Sequence, residues 1–425
     1  MLAKYPPMGW NSWDCYGTAV TEADVRSNAE YMFDNLKDFG WEYVVVDIQW
    51  YQPAAIDHRY QPFSDVTMDK FGRLVPAVNR FPSAAGGAGF KPLADYIHSL
   101  GLKFGIHIMR GIPRLAAHRR LPIKSGQAID GLQYSCDQAA DPNSICQWNP
   151  DMYGARQDHP AARAYYESIF RLYAEWGVDF VKCDDIAREY PQCRREIELI
   201  SQACRSCGRD IVLSLSPGPA PVEQAQHLKQ NANMWRITDD FWDDWNLLKS
   251  MFERAEKWCI HSGPGHWPDA DMLPVGALRL CGEETEAGRF TRFTEDEQRS
   301  MMTLWCMMRS PLFIGGNLPM NDTFTLEILT NRELLEIEQE SYCARPLFTS
   351  DRAAAWIAPR IDGKGCYAAL FNLSEEEQDM SIDTEEIERQ YSSAKELWKG
   401  TEAEDPTVLS AKLPPHGCAV WKLSD

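Results

Sequence analysis

Short apolar runs recur along this chain at spacings that leave room for a helix between each pair, and this rhythm constrains the fold more than any single residue does. Met8–Trp13, Tyr43–Trp50, Leu102–Met109, Asp179–Asp184, Ile211–Ser216, Met234–Asp240, Cys259–Pro264 and Pro311–Gly316 are eight such runs. A near-continuous run such as Tyr43-Val-Val-Val-Asp-Ile48 implies burial on both faces, the mark of a parallel strand rather than a half-solvated antiparallel one. Amphipathic segments lie between the runs. Thr21–Phe39 opens with a capping residue and acids, then carries Val25, Met32, Leu36 and Phe39 at helical spacing. Ala162–Trp176, Val222–Gln230, Leu247–Trp258, Thr294–Met308 and Leu326–Glu340 read the same way. Eight strand–helix units in about 340 residues predict an α/β fold of the (β/α)8 TIM-barrel type over residues 1–340.

After Ser341 the texture changes to short strands separated by Gly, Asp and Ser turns, which predicts a C-terminal antiparallel β-sandwich domain over 341–425. Trp356, Trp398 and Trp421 alternate as core aromatics do. Two barrel loops are long: 51–91 and 110–160 are rich in Pro, Gly, Asn, Trp and Tyr. Loops of that length in a compact domain act as binding walls or lids.

Charge narrows the partners. With 62 acidic against 43 basic residues, the net charge of −19 argues against nucleic acid and anionic membranes, both of which select a basic patch. A small neutral or cationic molecule fits better. The opening residues lack a signal-peptide h-region, no apolar run reaches membrane-spanning length, and the thirteen cysteines include one CxxC, Cys204 with Cys207, without a second pair at zinc spacing. These features predict a reduced, cytoplasmic protein; homo-oligomerisation stays open.

The chemistry sits at strand ends. Phe180-Val-Lys-Cys-Asp-Asp185 and Trp235-Arg-Ile-Thr-Asp-Asp240 each finish an apolar run with acids, and all strands of a parallel barrel end at one face. A retaining glycosidase needs one ionised carboxylate to attack the anomeric carbon and one protonated carboxyl for the leaving oxygen. Lys182, two residues before Asp184, favours an ionised nucleophile there. Asp239, Asp243 and Asp244 crowd Asp240, which favours a general acid. The plainer reading of Asp185, Asp239, Asp243 and Asp244 is helix capping and ion pairing. A metal-dependent barrel hydrolase would need carboxylate or His ligands at several strand ends, and His-x-His is absent.

Met8-Gly-Trp-Asn-Ser-Trp13, Val46-Asp47-Ile-Gln-Trp50, Leu102-Lys-Phe-Gly-Ile-His107, Trp176-Gly-Val-Asp-Phe-Val-Lys-Cys-Asp184, Trp235–Asp240 and Gly263-Pro-Gly-His-Trp-Pro-Asp-Ala-Asp-Met-Leu273 together resemble the α-galactosidases of glycoside hydrolase family 27. The resemblance implies a retaining double displacement without metal or cofactor, and exo-action on a small oligosaccharide or glycoside. It makes Asp184 the nucleophile, Asp240 the acid/base, and Trp13, Asp47, Ile48, His107, Lys182, Ser216, Arg236 and Met272 the substrate-binding set. Two departures bear on specificity. The family's two consecutive acids after strand two read Asp47-Ile48 here, and isoleucine cannot bind a hydroxymethyl group, which favours β-L-arabinopyranose over α-D-galactose. Ser216 falls where α-galactosidases carry a larger acid and α-N-acetylgalactosaminidases a serine. A third departure, Ile186 in place of a family cysteine, removes a disulfide. A non-catalytic sugar-binding barrel is the alternative from another class.

Overall fold

The computed structural model describes residues 1–61, 64–124, 131, 133–281, 288–387 and 390–425. Eight parallel strands form one sheet: β1 (Met8–Asn11), β2 (Tyr43–Val46), β3 (Lys103–Met109), β4 (Phe180–Asp184), β5 (Val212–Leu215), β6 (Met234–Arg236), β7 (Trp267–Asp269) and β8 (Leu312–Ile314). Each pairs with its successor from β1 through β7, and β8 pairs with β1. The seam between β7 and β8 is bridged by the segment just after β7: the Leu273 amide donates to Phe313 O at 2.7 Å and the Gly315 amide to Leu273 O at 2.9 Å.

Period-two alternation sorts the barrel interior into layers. Tyr43, Val45, Phe180, Val212, Met234, Trp267 and Phe313 form an apolar plug. Two residues further along β4 come Lys182 and Asp184, and two beyond Val45 comes Asp47, so the same strands present apolar side chains below and charged ones above. Gly9 and Gly105 make the plug fit. A Cβ on Gly9 would meet the backbone oxygen of Tyr43, and one on Gly105 would lie 2.9 Å from Val45 and 3.0 Å from Phe180.

The predicted helices form, with one divided and the one expected over Val222–Gln230 opening as a 3-10 turn, Val222–Gln224, before Ala225–Asn231. Thr21 caps Glu22–Asn35 through a reciprocal bond with Asp24, and Thr294 caps Glu295–Met308 in the same manner with Glu297. The single helix expected over Leu326–Glu340 is two, Thr323–Leu329 and Arg332–Glu340, because Asn331 caps the second by accepting from the Leu334 amide. The seventh strand is also displaced. Cys259–His261 is a 3-10 turn ending the helix Trp245–Trp258, with Ile260 exposed, and the strand is Trp267–Asp269. That strand contains Pro268, which cannot donate to a ladder. It is tolerated because β7 borders the seam and pairs along its length only with β6.

Beyond residue 344, Arg345–Thr349, Ala353–Pro359, Gly365–Asn372, Cys418–Ser424 and Ser393–Glu396 make a five-stranded antiparallel sheet, faced by the pair Gln378–Asp383 and Val408–Leu413. Trp356 and Trp421 are buried in it. Trp398 donates to Thr303 Oγ1 at 3.0 Å, and His416 stacks on Trp245 with ring centroids 3.8 Å apart while reaching Glu297 at 2.8 Å. These contacts dock the sandwich on two barrel helices. No described helix is long and apolar enough to cross a membrane.

Candidate active site

The barrel mouth holds a cavity of about 340 Å3 lined by Trp13, Asp14, Asp47, Tyr60, Lys182, Asp184, Arg236, Asp240, Phe241, Trp242, Asp271 and Met272. Strands β1, β2, β4, β6 and β7 or their immediate extensions supply most of this lining. Seven of the ten residues singled out from the sequence therefore converge here, namely Trp13, Asp47, Lys182, Asp184, Arg236, Asp240 and Met272.

The other three take supporting places. His107 lies on β3 beside Lys182 in the strand register and is fully buried. Its Nε2 meets Asp184 Oδ2 at 2.8 Å, so it stands behind the nucleophile candidate rather than among the cavity-lining residues. Ile48 is buried directly after Asp47, where its amide donates to Asp47 Oδ1 at 2.9 Å. Ser216, at the end of β5, is buried and its Oγ finds no hydrogen-bond partner among the described residues.

Two cation–carboxylate sets organise the charge. Asp47 accepts from Asn11 Nδ2 at 2.8 Å and from Lys182 Nζ at 2.9 Å. Burial alone would lower Lys182, but Asp47 and then Asp184 outweigh it and hold the ammonium protonated. For Asp184, burial acts to raise the carboxyl. The hydrogen bond and charge of His107, followed by Lys182 and the Asp185 amide, reverse this and hold it well below the usual carboxylate range. The sequence expectation gave that task to Lys182. The structure gives the direct contact to His107 and spends the Lys182 bond on Asp47.

On the opposite wall, Arg236 reaches Asp271 Oδ2 at 2.7 Å and Asp240 Oδ1 at 3.3 Å. Burial would depress the guanidinium, and Asp271 and Asp240 more than restore it. Burial pushes the Asp271 carboxyl upward, with Arg236 opposing and the Asp240 charge adding to the rise. The Asp240 side chain is 56% exposed at the mouth of the cavity. Its crowding neighbours are engaged elsewhere, as the plainer reading expected: Asp239 pairs with Arg188 at 2.8 Å, the buried Asp243 with Arg289, and Asp244 caps the helix Trp245–Trp258. Asp185 pairs with Arg110 at 3.0 Å.

Five lining residues escaped the sequence reading. Tyr60 comes from the 51–91 loop and stacks on Trp13 at 5.6 Å with rings 13° apart, which brings that loop to the cavity wall. Trp148 of the 110–160 loop packs against Tyr60 at 5.0 Å. Within these loops 62–63, 125–130 and 132 lie outside the described residues. Asp14 follows Trp13 in a one-turn helix, and its Oδ2 is buried without a partner among the described residues. Phe241 and Trp242 simply continue the chain past Asp240. Asp271 had a signal, since Asp269 and Asp271 are two apart just past a strand.

The arrangement offers a buried, ionised carboxylate and a solvent-reaching one on the walls of one cavity, which is what acid/base-assisted glycosyl transfer requires. The α-galactosidase A family model matches residues 5–118 and 152–340, and the α-galactosidase C-terminal β-sandwich model matches 350–423. A β-L-arabinopyranosidase from Geobacillus stearothermophilus is 52% identical with a TM-score of 0.95, covering 100% of this chain and 97% of its own. A Bacillus halodurans protein named as a candidate α-N-acetylgalactosaminidase is 46% identical with a TM-score of 0.87, covering 100% and 99%. The α-galactosidase of Cyamopsis tetragonoloba is 26% identical over 100% of this chain and 87% of its own length. Fold, cavity and sequence thus agree that this chain is a glycoside hydrolase and belongs to family 27, the α-galactosidase family.

Proposed function

We propose that this enzyme is a retaining exo-glycosidase whose preferred glycone is β-L-arabinopyranose, with α-D-galactose as the competing sugar of the same ring configuration. Asp184 attacks the anomeric carbon while Asp240 protonates the departing oxygen. Asp240 then removes a proton from water as the glycosyl ester is hydrolysed. The observation that carries the roles is the asymmetry of the two acids in one cavity: Asp184 is buried and held as the anion by His107, whereas Asp240 sits exposed at the mouth, where a leaving group exits.

Ile48 carries the choice of sugar. After Asp47 the chain offers a buried apolar side chain and no second acceptor, so a hydroxymethyl group gains no hydrogen bond there. A site built to bind a hydroxyl discriminates far more strongly than an apolar one. The 52% identity to a β-L-arabinopyranosidase supports the same preference. A second reading, α-N-acetylgalactosaminidase, draws on Ser216, whose small side chain with an unpartnered Oγ leaves an acceptor or donor for an N-acetyl group. Ile48 opposes it, because that sugar also has a C6 hydroxyl. We keep 1–340 as the catalytic barrel and 341–425 as its companion β domain. A reducing, cytoplasmic setting is supported by thirteen cysteines, all free thiols in the structure.

Initial rates on p-nitrophenyl β-L-arabinopyranoside, α-D-galactopyranoside and α-N-acetylgalactosaminide test the reading, for wild type, Ile48→Asp and Ile48→Ala. Arabinoside preference that moves toward galactoside in Ile48→Asp, and less in Ile48→Ala, is the expected result. A wild type that prefers galactoside would overturn it.

A further inference from the structure

The carboxyl groups around the cavity are matched to partners, with a single exception among the described residues. Asp47 accepts from Lys182 and Asn11, Asp184 meets His107, and Asp240 and Asp271 share Arg236. Asp14 lines the same cavity and is 3% exposed, yet its Oδ2 is buried without a hydrogen bond and its carboxyl forms no ion pair among the described residues. A buried polar atom left unmatched is costly and calls for a reason. The backbone makes room for this one: Gly315, the first residue after β8, passes so close that a Cβ on it would strike Asp14 Oδ2. Followed either way round the ring, β8 lies four strands from β4. Asp14 Oδ2 therefore stands at the strand end across the barrel mouth from Asp184.

We infer that Asp14 is a further glycone-binding residue and that it donates a hydrogen bond to the hydroxyl on C4 of the bound pyranose. The inference rests on the glycosidase reading above and adds a side chain and the hydroxyl it recognises. A pyranose whose anomeric carbon faces Asp184 turns C4, the ring carbon opposite C1, toward the far wall, and that wall carries Asp14. A sugar hydroxyl both donates and accepts, so it supplies the partner that the protein withholds. Burial lifts the Asp14 carboxyl well above its ordinary range, with the Asp271 charge adding to the rise and Lys182 opposing it. That balance favours the neutral acid, which has an O–H to donate. A substrate without the C4 hydroxyl leaves the buried carboxyl unmatched, the situation in which discrimination is steep.

The test is a cycle of side chain against substrate. It compares kcat/KM on the p-nitrophenyl glycoside of the sugar that wild type prefers with kcat/KM on its 4-deoxy and 2-deoxy analogues, for wild type, Asp14→Ala and Asp14→Asn. Loss of the C4 hydroxyl is expected to cost wild type about tenfold or more and Asp14→Ala no more than about twofold, while the 2-deoxy penalty is the same in both. Asp14→Asn keeps an N–H donor in nearly the same shape and should restore most of the C4 selectivity that Ala loses. Gly315→Ala, which displaces the carboxyl, should reproduce the Ala pattern, and the Asp14 variants carry the test alone should the glycine variant not fold. Equal 4-deoxy penalties in wild type and Asp14→Ala would overturn the contact, and an Asn variant no better than Ala would overturn the donor role. Failure of wild type to cleave any parent glycoside would strike the glycosidase reading itself, which separates the two failures.

Discussion

The state of Asp184 depends on a residue that does not line the cavity, and His107→Ala isolates that dependence. In the folded enzyme burial raises the Asp184 carboxyl, and the His107 hydrogen bond at 2.8 Å leads the groups that reverse it. A hydrogen bond to a charged group contributes about 1.5–3 kcal/mol. At about 1.4 kcal/mol per pKa unit, its removal lifts Asp184 by roughly one to two units, with burial left opposed only by Lys182 and the Asp185 amide. The sign follows directly. A nucleophile with a depressed pKa stays ionised far into acid, so wild type shows little acid limb in kcat/KM; in the variant the protonated, inactive form appears at higher pH. At neutral pH Asp184 stays ionised in both, and the remaining loss, about 10–100-fold in kcat, comes from a carboxylate no longer held in line. The assay is the kcat/KM profile on an aryl glycoside from about pH 8 down to about pH 2, which reports the free enzyme. His107→Gln keeps an amide donor and should recover part of both effects, and a thermal melt separates them from the cost of a buried cavity, about 1–3 kcal/mol. An acid limb unmoved in His107→Ala would refute the account, as would a Gln variant indistinguishable from Ala.

Further outcomes follow from other contacts. Asp184→Asn and Asp240→Asn should each lose activity by about 10³-fold or more; with an activated donor, azide rescues the second to a product of retained configuration and the first to an inverted one, and the opposite pattern would exchange the roles. Burial pushes Asp185 up to about 6, against Arg110, so its ionisation costs the folded state stability as pH rises from about 4 to 6; denaturation of Asp185→Asn should show a flatter pH dependence than wild type across that window. A Cβ on Gly218 would strike the backbone oxygens of Thr238 and Arg236, so Gly218→Ala should lower stability by about 2 kcal/mol or more and displace Asp240, seen as a kcat loss that cooling does not restore. His416→Ala removes the Trp245 stack and the Glu297 bond and should cost about 1–2 kcal/mol in a denaturant melt, with KM unchanged if the β domain only supports the barrel.

How much of this was legible depended on whether a residue's role was local. Lys182 and Asp184 could be assigned to one face because strand periodicity is strict, and the structure puts both on the cavity wall. Thr21 and Thr294 announced their helices because a capping box is a four-residue device. The seventh strand escaped because Trp267-Pro-Asp269 is three residues long and carries a proline, permitted only because the barrel closes one segment later through Leu273. No window over Cys259–Pro264 could reveal that, since the closure involves Phe313 and Gly315. The same logic sets Tyr60 and His107 apart from Lys182 and Asp184. Tyr60 arrives from a long aperiodic loop, and its stacking on Trp13 is a contact across 47 positions. His107 was identified, yet its place was fixed by which oxygen of which neighbouring strand it met. Sequence periodicity puts a side chain on a barrel wall; the register between β3 and β4, His107 beside Lys182 and Met109 beside Asp184, decides which neighbour it meets, here the Asp184 carboxylate at 2.8 Å.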